Sequence, residues 1–158
     1  GAEVIEYDDA VRVTRFKALS KCNVKTMPHP GFPTDMQPQM AVLLSIANGT
    51  SILSESVWDN RFQYVQQLLR MGADIQVDGK VAVIVGVPRL DGTTVRATDL
   101  RAGAAMIIAG LVAEGVTTVE DTIYVERGYE DVVEKFAAIG ADIRRVAVKE
   151  ETAVQTAG

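Results

Sequence analysis

Apolar residues recur at Met36, Met40, Leu43, Leu44 and Ala47, the i, i+4, i+7, i+8, i+11 spacing of one helical face, and predict a helix over 35–47. Asn48-Gly49 supplies its C-terminal stop. Upstream, Glu3 to Thr14 alternates apolar and polar around Asp8-Asp9, a hairpin pattern, and Cys22 to Met27 forms a second extended run. Between that run and the helix lies Pro28-His29-Pro30-Gly31-Phe32-Pro33, whose prolines stiffen the loop. Thr34-x-x-Gln37 then has the form of a capping box. Downstream, Thr50 to Val57 reads as a strand. Asp59-Asn60-Arg61 opens a second helix with Phe62, Val65, Leu68 and Leu69 on one side, ending at Met71-Gly72.

The pattern then starts again. Gly72-Ala73-Asp74-Ile75 echoes Gly1-Ala2-Glu3-Val4, and its hairpin turns at Asp78-Gly79, with Val81, Val83 and Val85 alternating beyond. Thr93 to Ala97 reads as a strand, and Thr98-Asp99-Leu100-Arg101 echoes Thr34-Asp35-Met36-Gln37. The next helix carries Leu100, Ala104, Ile107, Ile108 and Leu111 at the spacing of the first, and Val116 to Ile123 matches the strand 50–57. A closing helix aligns Tyr129, Val133, Phe136 and Ala137, and Gly140-Ala141-Asp142-Ile143 repeats the tetrapeptide a third time before a final strand to Val148. Asp35 and Asp99 stand 64 residues apart, and the pairs Gly49/Gly115 and Arg61/Arg127 each stand 66 apart. The chain thus reads as two strand–helix–strand–helix–strand units, 15–75 and 80–148, after an initial hairpin 1–14, with a polar tail 150–158. Parallel strands joined by helical crossovers make an α/β fold. The opening tetrapeptide marks the end of a preceding unit, so the stretch is expected to come from a longer repeat protein.

Composition narrows the function. At 47% hydrophobic and 23% charged, the chain is an ordinary globular one. A net charge of -5 disfavours general nucleic-acid or acidic-membrane binding. One cysteine, Cys22, forms no internal disulfide and fits a reducing compartment. No run is long and apolar enough for a membrane span, and no signal peptide is evident, so a cytoplasmic location is expected. No Walker loop, GxGxxG, CxxC or HExxH motif is present, and neither a metal nor a cofactor is expected.

The chemistry centres on the repeated landmarks. If the units pack around a pseudo-symmetry axis, Asp35 and Asp99 are equivalent helix-start carboxylates, and Arg61 and Arg127 equivalent helix-start guanidiniums. Arginine forks suit phosphate or carboxylate, and a neighbouring carboxylate can take a proton from a hydroxyl. The plain alternative is that both acids are caps and both arginines surface charges. An arginine in a first helical turn is unfavourable unless an anion sits there. His29 reads as structural, Cys22 as an inert core thiol, the Met36–Met40 pair as helix core, and Trp58 and Tyr64 as packing residues or a stacking platform.

Taken together, His29-Pro30-Gly31-Phe32-Pro33-Thr34-Asp35-Met36-Gln37, Asp59-Asn60-Arg61-Phe62, Ala97-Thr98-Asp99-Leu100-Arg101 and Arg127-Gly128-Tyr129-Glu130 resemble the C-terminal part of the UDP-N-acetylglucosamine 1-carboxyvinyltransferase family of enolpyruvyl transferases, over essentially residues 1–148. The resemblance implies an inside-out repeat of units around a pseudo-three-fold axis, incomplete in this stretch. It implies transfer of enolpyruvate from phosphoenolpyruvate to the 3′-hydroxyl of UDP-N-acetylglucosamine in the cytoplasm, opening peptidoglycan synthesis and so serving cell-wall biogenesis, cell shape and division.

By the same resemblance, Asp35 binds and deprotonates the sugar hydroxyl, and the Val57 backbone contacts the UDP-sugar. Arg127 binds phosphoenolpyruvate, and Arg61, Asp99 and Arg101 occupy active-site or interdomain positions. The family's catalytic cysteine loop, its amino-terminal lysine–asparagine pair and its other substrate arginine lie in parts of the chain outside this stretch, among them the N-terminal domain expected as its partner, so Cys22 inherits no role. Alone, the stretch is expected to be inactive and to self-associate through apolar surface left by the absent unit. Two alternatives stand beside this: the shikimate-pathway enolpyruvyl transferase, and a non-catalytic binding module on the same scaffold.

Overall fold

The computed structural model describes residues 1–147. A hairpin of β1 (Ala2–Glu6) and β2 (Val11–Arg15) comes first, paired antiparallel with Val4 opposite Val13. Then β3 (Val24–Lys25), α1 (Gln37–Ser45) and β4 (Thr50–Ser54) form a crossover in which β3 and β4 pair in parallel. After α2 (Val65–Arg70), the hairpin of β5 (Asp74–Asp78) and β6 (Val81–Val85) folds back, and β6 pairs antiparallel with β4. The four strands stand in the order β3-β4-β6-β5. The second unit repeats the crossover with β7 (Thr94–Arg96), α3 (Leu100–Val112) and β8 (Thr118–Glu120), again a parallel pair. It ends in α4 (Ile123–Gly128) and α5 (Val132–Ala138).

One core spans both units. Leu44 of α1, Leu53 of β4, Leu68 of α2, Ile84 of β6, Val95 of β7 and Met106 of α3 are fully buried and mutually packed. The helix starts of both units are therefore fixed relative to each other by shared burial, the largest favourable contribution to folding. A smaller cluster of Ala97, Ile107 and Val125 seats α4 on α3. No helix among the described residues is long and apolar enough to cross a membrane.

Several expectations change. The buried face of α1 is Gln37, Pro38, Ala41, Val42, Leu44 and Ser45, whereas Met36 and Leu43 are exposed. On α3 the buried face is Ala102, Gly103, Ala105, Met106, Ile107 and Ala109, with Leu111 exposed. α3 is apolar nearly all round and α1 carries the polar Gln37 and Ser45 on its buried side, so periodicity locates each helix but not its inward sector. The sector with small residues wins because it permits close approach. An added Cβ at Gly103 would fall 2.3 Å from Val125 Cγ2. The other sectors line a groove of about 250 Å³ that includes Phe32, Met36, Met40, Leu43, Ile108 and Val112.

The helix predicted from residue 35 begins instead as a 3₁₀ turn, Thr34–Met36, and the capping box does not form. Thr34 donates its hydroxyl elsewhere, and the Gln37 amide is buried without a partner. The predicted strands are shorter than expected, at Thr50–Ser54 and Thr118–Glu120. The closing helix breaks at Asp131, whose φ is 47°. No strand is present over residues 141–147, and Val148 and the polar tail lie outside the described residues. Cys22 is exposed rather than core, because it precedes the short strand β3 on an open loop.

Candidate functional site

Asp35 sits at the end of the proline loop, inside the 3₁₀ turn, where its carboxylate is free of any capping duty. Arg61 donates from Nη2 to Asp35 Oδ1 at 2.8 Å, and Arg101 donates from Nη2 to Oδ2 at 2.7 Å. One guanidinium comes from each repeat unit. The Asp35 side chain keeps 53% of its exposure while Arg61 keeps 13%, so the acid is reachable and the arginine beneath it is not. The hydrogen bond from Arg101, helped by the charges of Arg101 and Arg61, outweighs partial burial and holds the Asp35 carboxyl below its ordinary value of 3.8. The Arg101 guanidinium is held above its ordinary value chiefly by that same hydrogen bond, with Tyr129 contributing. Two guanidiniums around one carboxylate leave the cluster net positive, an environment suited to an anionic ligand.

Asp99 takes the plain role at its equivalent position. It is the N-cap of α3, and its Oδ1 accepts from the Arg101 and Ala102 amides at 2.8 and 2.9 Å. That cap fixes the first turn from which Arg101 reaches Asp35. The repeat thus places two aspartates at matching points and gives them different work. Arg127 differs from expectation. It lies in the last turn of α4, not at a helix start, because the chain enters that helix earlier, at Ile123. It lines a concavity of about 520 Å³ with Glu126, Tyr129, Glu130, Asp131 and Arg145. Tyr129 borders this concavity and also interacts with Arg101, whereas neither Asp35 nor Arg101 lines it.

The loop after β4 carries Val57 and Trp58, both exposed. The Arg61 guanidinium lies over the Trp58 ring at 5.7 Å, so Trp58 stacks within the chain. Tyr64 is fully buried, and that burial pushes its phenol up, with the Glu55 charge adding and Arg61 opposing. The Val57 amide donates to Glu55 Oε1 at 2.8 Å, which leaves only its carbonyl for an incoming group. His29 is exposed on the proline loop, and the His29–Pro30 peptide is cis. Among the described residues, no group of three or more His, Cys, Asp or Glu side chains is placed to hold a metal ion.

Sequence reasoning missed Glu55. It is 3% exposed and accepts from the Thr26 hydroxyl at 2.7 Å, the Thr34 hydroxyl at 2.9 Å and the Val57 and Trp58 amides at 2.8 and 2.9 Å. A signal existed. Ser51 and Leu53 are the inward positions of β4, and Glu55 is the next in that period-two series. Burial raises the Glu55 carboxyl, but its four hydrogen bonds outweigh this and set it below its ordinary value of 4.5. A depressed folded-state value adds stability that is complete above the unfolded value, near 4.5, and is lost as pH falls through the folded one. Glu55→Gln, which has no such proton to gain, is expected to flatten the acid limb of a stability-against-pH curve below that point. An acid limb as steep as that of the unsubstituted protein counts against this assignment.

Comparisons place this geometry among known proteins. The chain is 51% identical over 92% of its length to UDP-N-acetylglucosamine 1-carboxyvinyltransferase 3 of Caldanaerobacter subterraneus subsp. tengcongensis, of which it covers 35%. It is 55% identical over 88% of its length to UDP-N-acetylglucosamine 1-carboxyvinyltransferase 1 of Clostridium perfringens, of which it covers 33%. It therefore spans about a third of the length of these relatives. A crystal structure of the enolpyruvyl transferase NikO from Streptomyces tendae superposes with a TM-score of 0.82 at 34% identity, covering 91% of this chain and 34% of that one. EPSP synthase from Acinetobacter baumannii, at 17% identity and a TM-score of 0.53 over 75% of this chain and 29% of that one, shares the fold. The family model for EPSP synthase (3-phosphoshikimate 1-carboxyvinyltransferase) matches residues 1–136, and the chain belongs to that family of enolpyruvyl transferases.

Proposed function

We propose that the full-length protein carrying this chain transfers enolpyruvate from phosphoenolpyruvate to the 3′-hydroxyl of UDP-N-acetylglucosamine, the first committed step of peptidoglycan synthesis. On this reading it acts in the cytoplasm and serves cell-wall biogenesis and division. The observation that carries it is a half-exposed carboxylate, Asp35, held between Arg61 and Arg101 from two repeat units. The names of relatives at 51% and 55% identity support the choice of acceptor.

The chemistry follows from the groups. The acceptor hydroxyl oxygen bonds to C2 of phosphoenolpyruvate while its proton leaves and another proton adds to C3. Elimination then returns the C3 proton and releases inorganic phosphate. Asp35 accepts the hydrogen bond, and then the proton, of the attacking hydroxyl. Arg61 and Arg101 hold that carboxylate in one orientation and keep it ionised. The Val57 carbonyl accepts from the sugar. Arg127, in the concavity it lines with Tyr129, offers a fork to the phosphate or carboxylate of phosphoenolpyruvate. Asp99 acts through Arg101, by fixing the turn that carries it.

The family model's description favours a second acceptor, shikimate 3-phosphate, as the alternative. Phosphate release by the full-length protein separates the readings. Turnover with phosphoenolpyruvate plus UDP-N-acetylglucosamine, and none with shikimate 3-phosphate, is the expected result. The reverse pattern establishes the alternative, and no release with either counts against both transferase readings. The 158-residue chain assayed alone is expected to release no phosphate, because it offers only part of the electrostatic complement.

A further inference from the structure

Glu55 touches neither Asp35 nor open solvent, yet three separate segments converge on it. Oε1 takes the Thr26 hydroxyl from the end of β3 together with the Val57 and Trp58 amides. Oε2 takes the Thr34 hydroxyl, one residue before Asp35. An ionised carboxylate has about four acceptor positions; Oε1 takes three bonds and Oε2 one, so the charge is heavily hydrogen-bonded. Thr26, itself fully buried, extends the knot. Its hydroxyl accepts the Ser56 amide at 2.9 Å, and its carbonyl accepts the Ser56 hydroxyl. A buried charge is costly unless fully hydrogen-bonded, so this arrangement holds only while both loops stay docked.

We infer that Glu55 is a positioning residue for the acceptor half of the site, tying the loop that presents Asp35 to the loop that presents the Val57 carbonyl. This rests on the proposed reaction for its kinetic consequences, but the coupling of the two loops is a property of the chain itself. None of the four bonds reaches α4, where Arg127 lies. Loosening the knot therefore disturbs recognition of the acceptor sugar and leaves the phosphoenolpyruvate side in place. A general loss of folded protein lowers turnover without favouring one substrate over the other.

The test uses the full-length protein with three substitutions. Thr34→Val keeps the side-chain shape and removes the donor to Oε2; Thr34→Ser keeps the donor; Glu55→Gln removes the charge. With Thr34→Val the KM for UDP-N-acetylglucosamine is expected to rise about ten-fold, the cost of one charge-assisted hydrogen bond. The KM for phosphoenolpyruvate stays within about two-fold. Thr34→Ser recovers most of the loss, and Glu55→Gln shows the same split with a larger rise.

Amide hydrogen exchange supplies a readout independent of turnover. Thr34→Val is expected to speed exchange at Val57 and Trp58, which lie on the other loop. Unchanged exchange there overturns the inference whatever the substrates prove to be. Equal movement of both KM values, or failure of Thr34→Ser to recover the loss, also overturns it. If the unsubstituted protein turns over neither substrate, the functional reading fails, and the exchange result alone decides the role of Glu55. Should Glu55→Gln fail to fold, the Thr34 pair carries both readouts.

Discussion

Asp35→Asn in the full-length protein is expected to lower kcat about a hundred-fold or more while the fold stands. The amide matches the carboxylate in shape and can still lie between Arg61 and Arg101. It cannot accept a proton, and its NH₂ faces one guanidinium with a donor where an acceptor stood. Side-chain exposure of 53% makes a large stability loss unexpected. Circular dichroism and thermal denaturation should therefore track the unsubstituted protein. The pH profile carries a second check. Asp35 sits below its ordinary value mainly through the hydrogen bond from Arg101, so the active, ionised form persists through neutral pH and is lost only on the acid side. Arg101→Gln removes the leading cause of that depression, and the acid limb of kcat/KM is expected to move to higher pH. A near-normal rate for Asp35→Asn, or an acid limb that stays in place for Arg101→Gln, removes Asp35 from the proton chemistry.

Local signals were legible in the sequence to the extent that they were local. The helical period located α1 and α3, and Asp78-Gly79 located the turn between β5 and β6. The repeat implied two parallel strand pairs joined by helices, as β3/β4 and β7/β8 are. It also singled out Asp35 and Arg61, which meet in space, whereas Arg101, which joins them, was marked only by the family resemblance. What was not legible depends on partners far along the chain. The Arg101–Asp35 bond joins residues 66 apart, and Thr26–Glu55 joins residues 29 apart. A capping box is inferred from a four-residue window, whereas Thr34 is taken by Glu55, 21 residues away. The inward sectors of α1 and α3 were misjudged because a helix apolar on most sides offers several equivalent stripes. Steric fit against the neighbouring helix chooses among them. Arg127 was placed at a helix start by its match to Arg61. The match in sequence is sound, but α4 begins three residues before Glu126, so equal numbering offsets do not mean equal positions on a helix.

Gly86→Ala is expected to be the most destabilising small substitution around the four-stranded sheet, at about 3–5 kcal/mol. Gly86 follows β6 and lies where that strand passes the end of α1. A Cβ there would fall 1.6 Å from the Ala47 carbonyl oxygen and 2.7 Å from its carbon. Backbone atoms cannot swing aside as a side-chain tip can. Relief requires the 85–87 segment to move away from 45–49, which breaks the Gly86 amide bond to the Gly49 carbonyl at 3.0 Å and the Val87 amide bond to the Ser45 carbonyl at 2.8 Å. Each such bond is worth about 1 kcal/mol net, and strain in the shared core adds to the loss. Gly79→Ala is the control. Its φ of +55° makes an Ala strained, but nothing lies within 4 Å of the added carbon, so only the torsional cost of about 1 kcal/mol applies. In the full-length protein the Gly86 variant should melt about ten degrees lower, with faster amide exchange at Gly86 and Val87, while the Gly79 variant shifts by only a few degrees. Equal shifts for the two would mean that the close approach of α1 to β6 is not what the four-stranded sheet depends on.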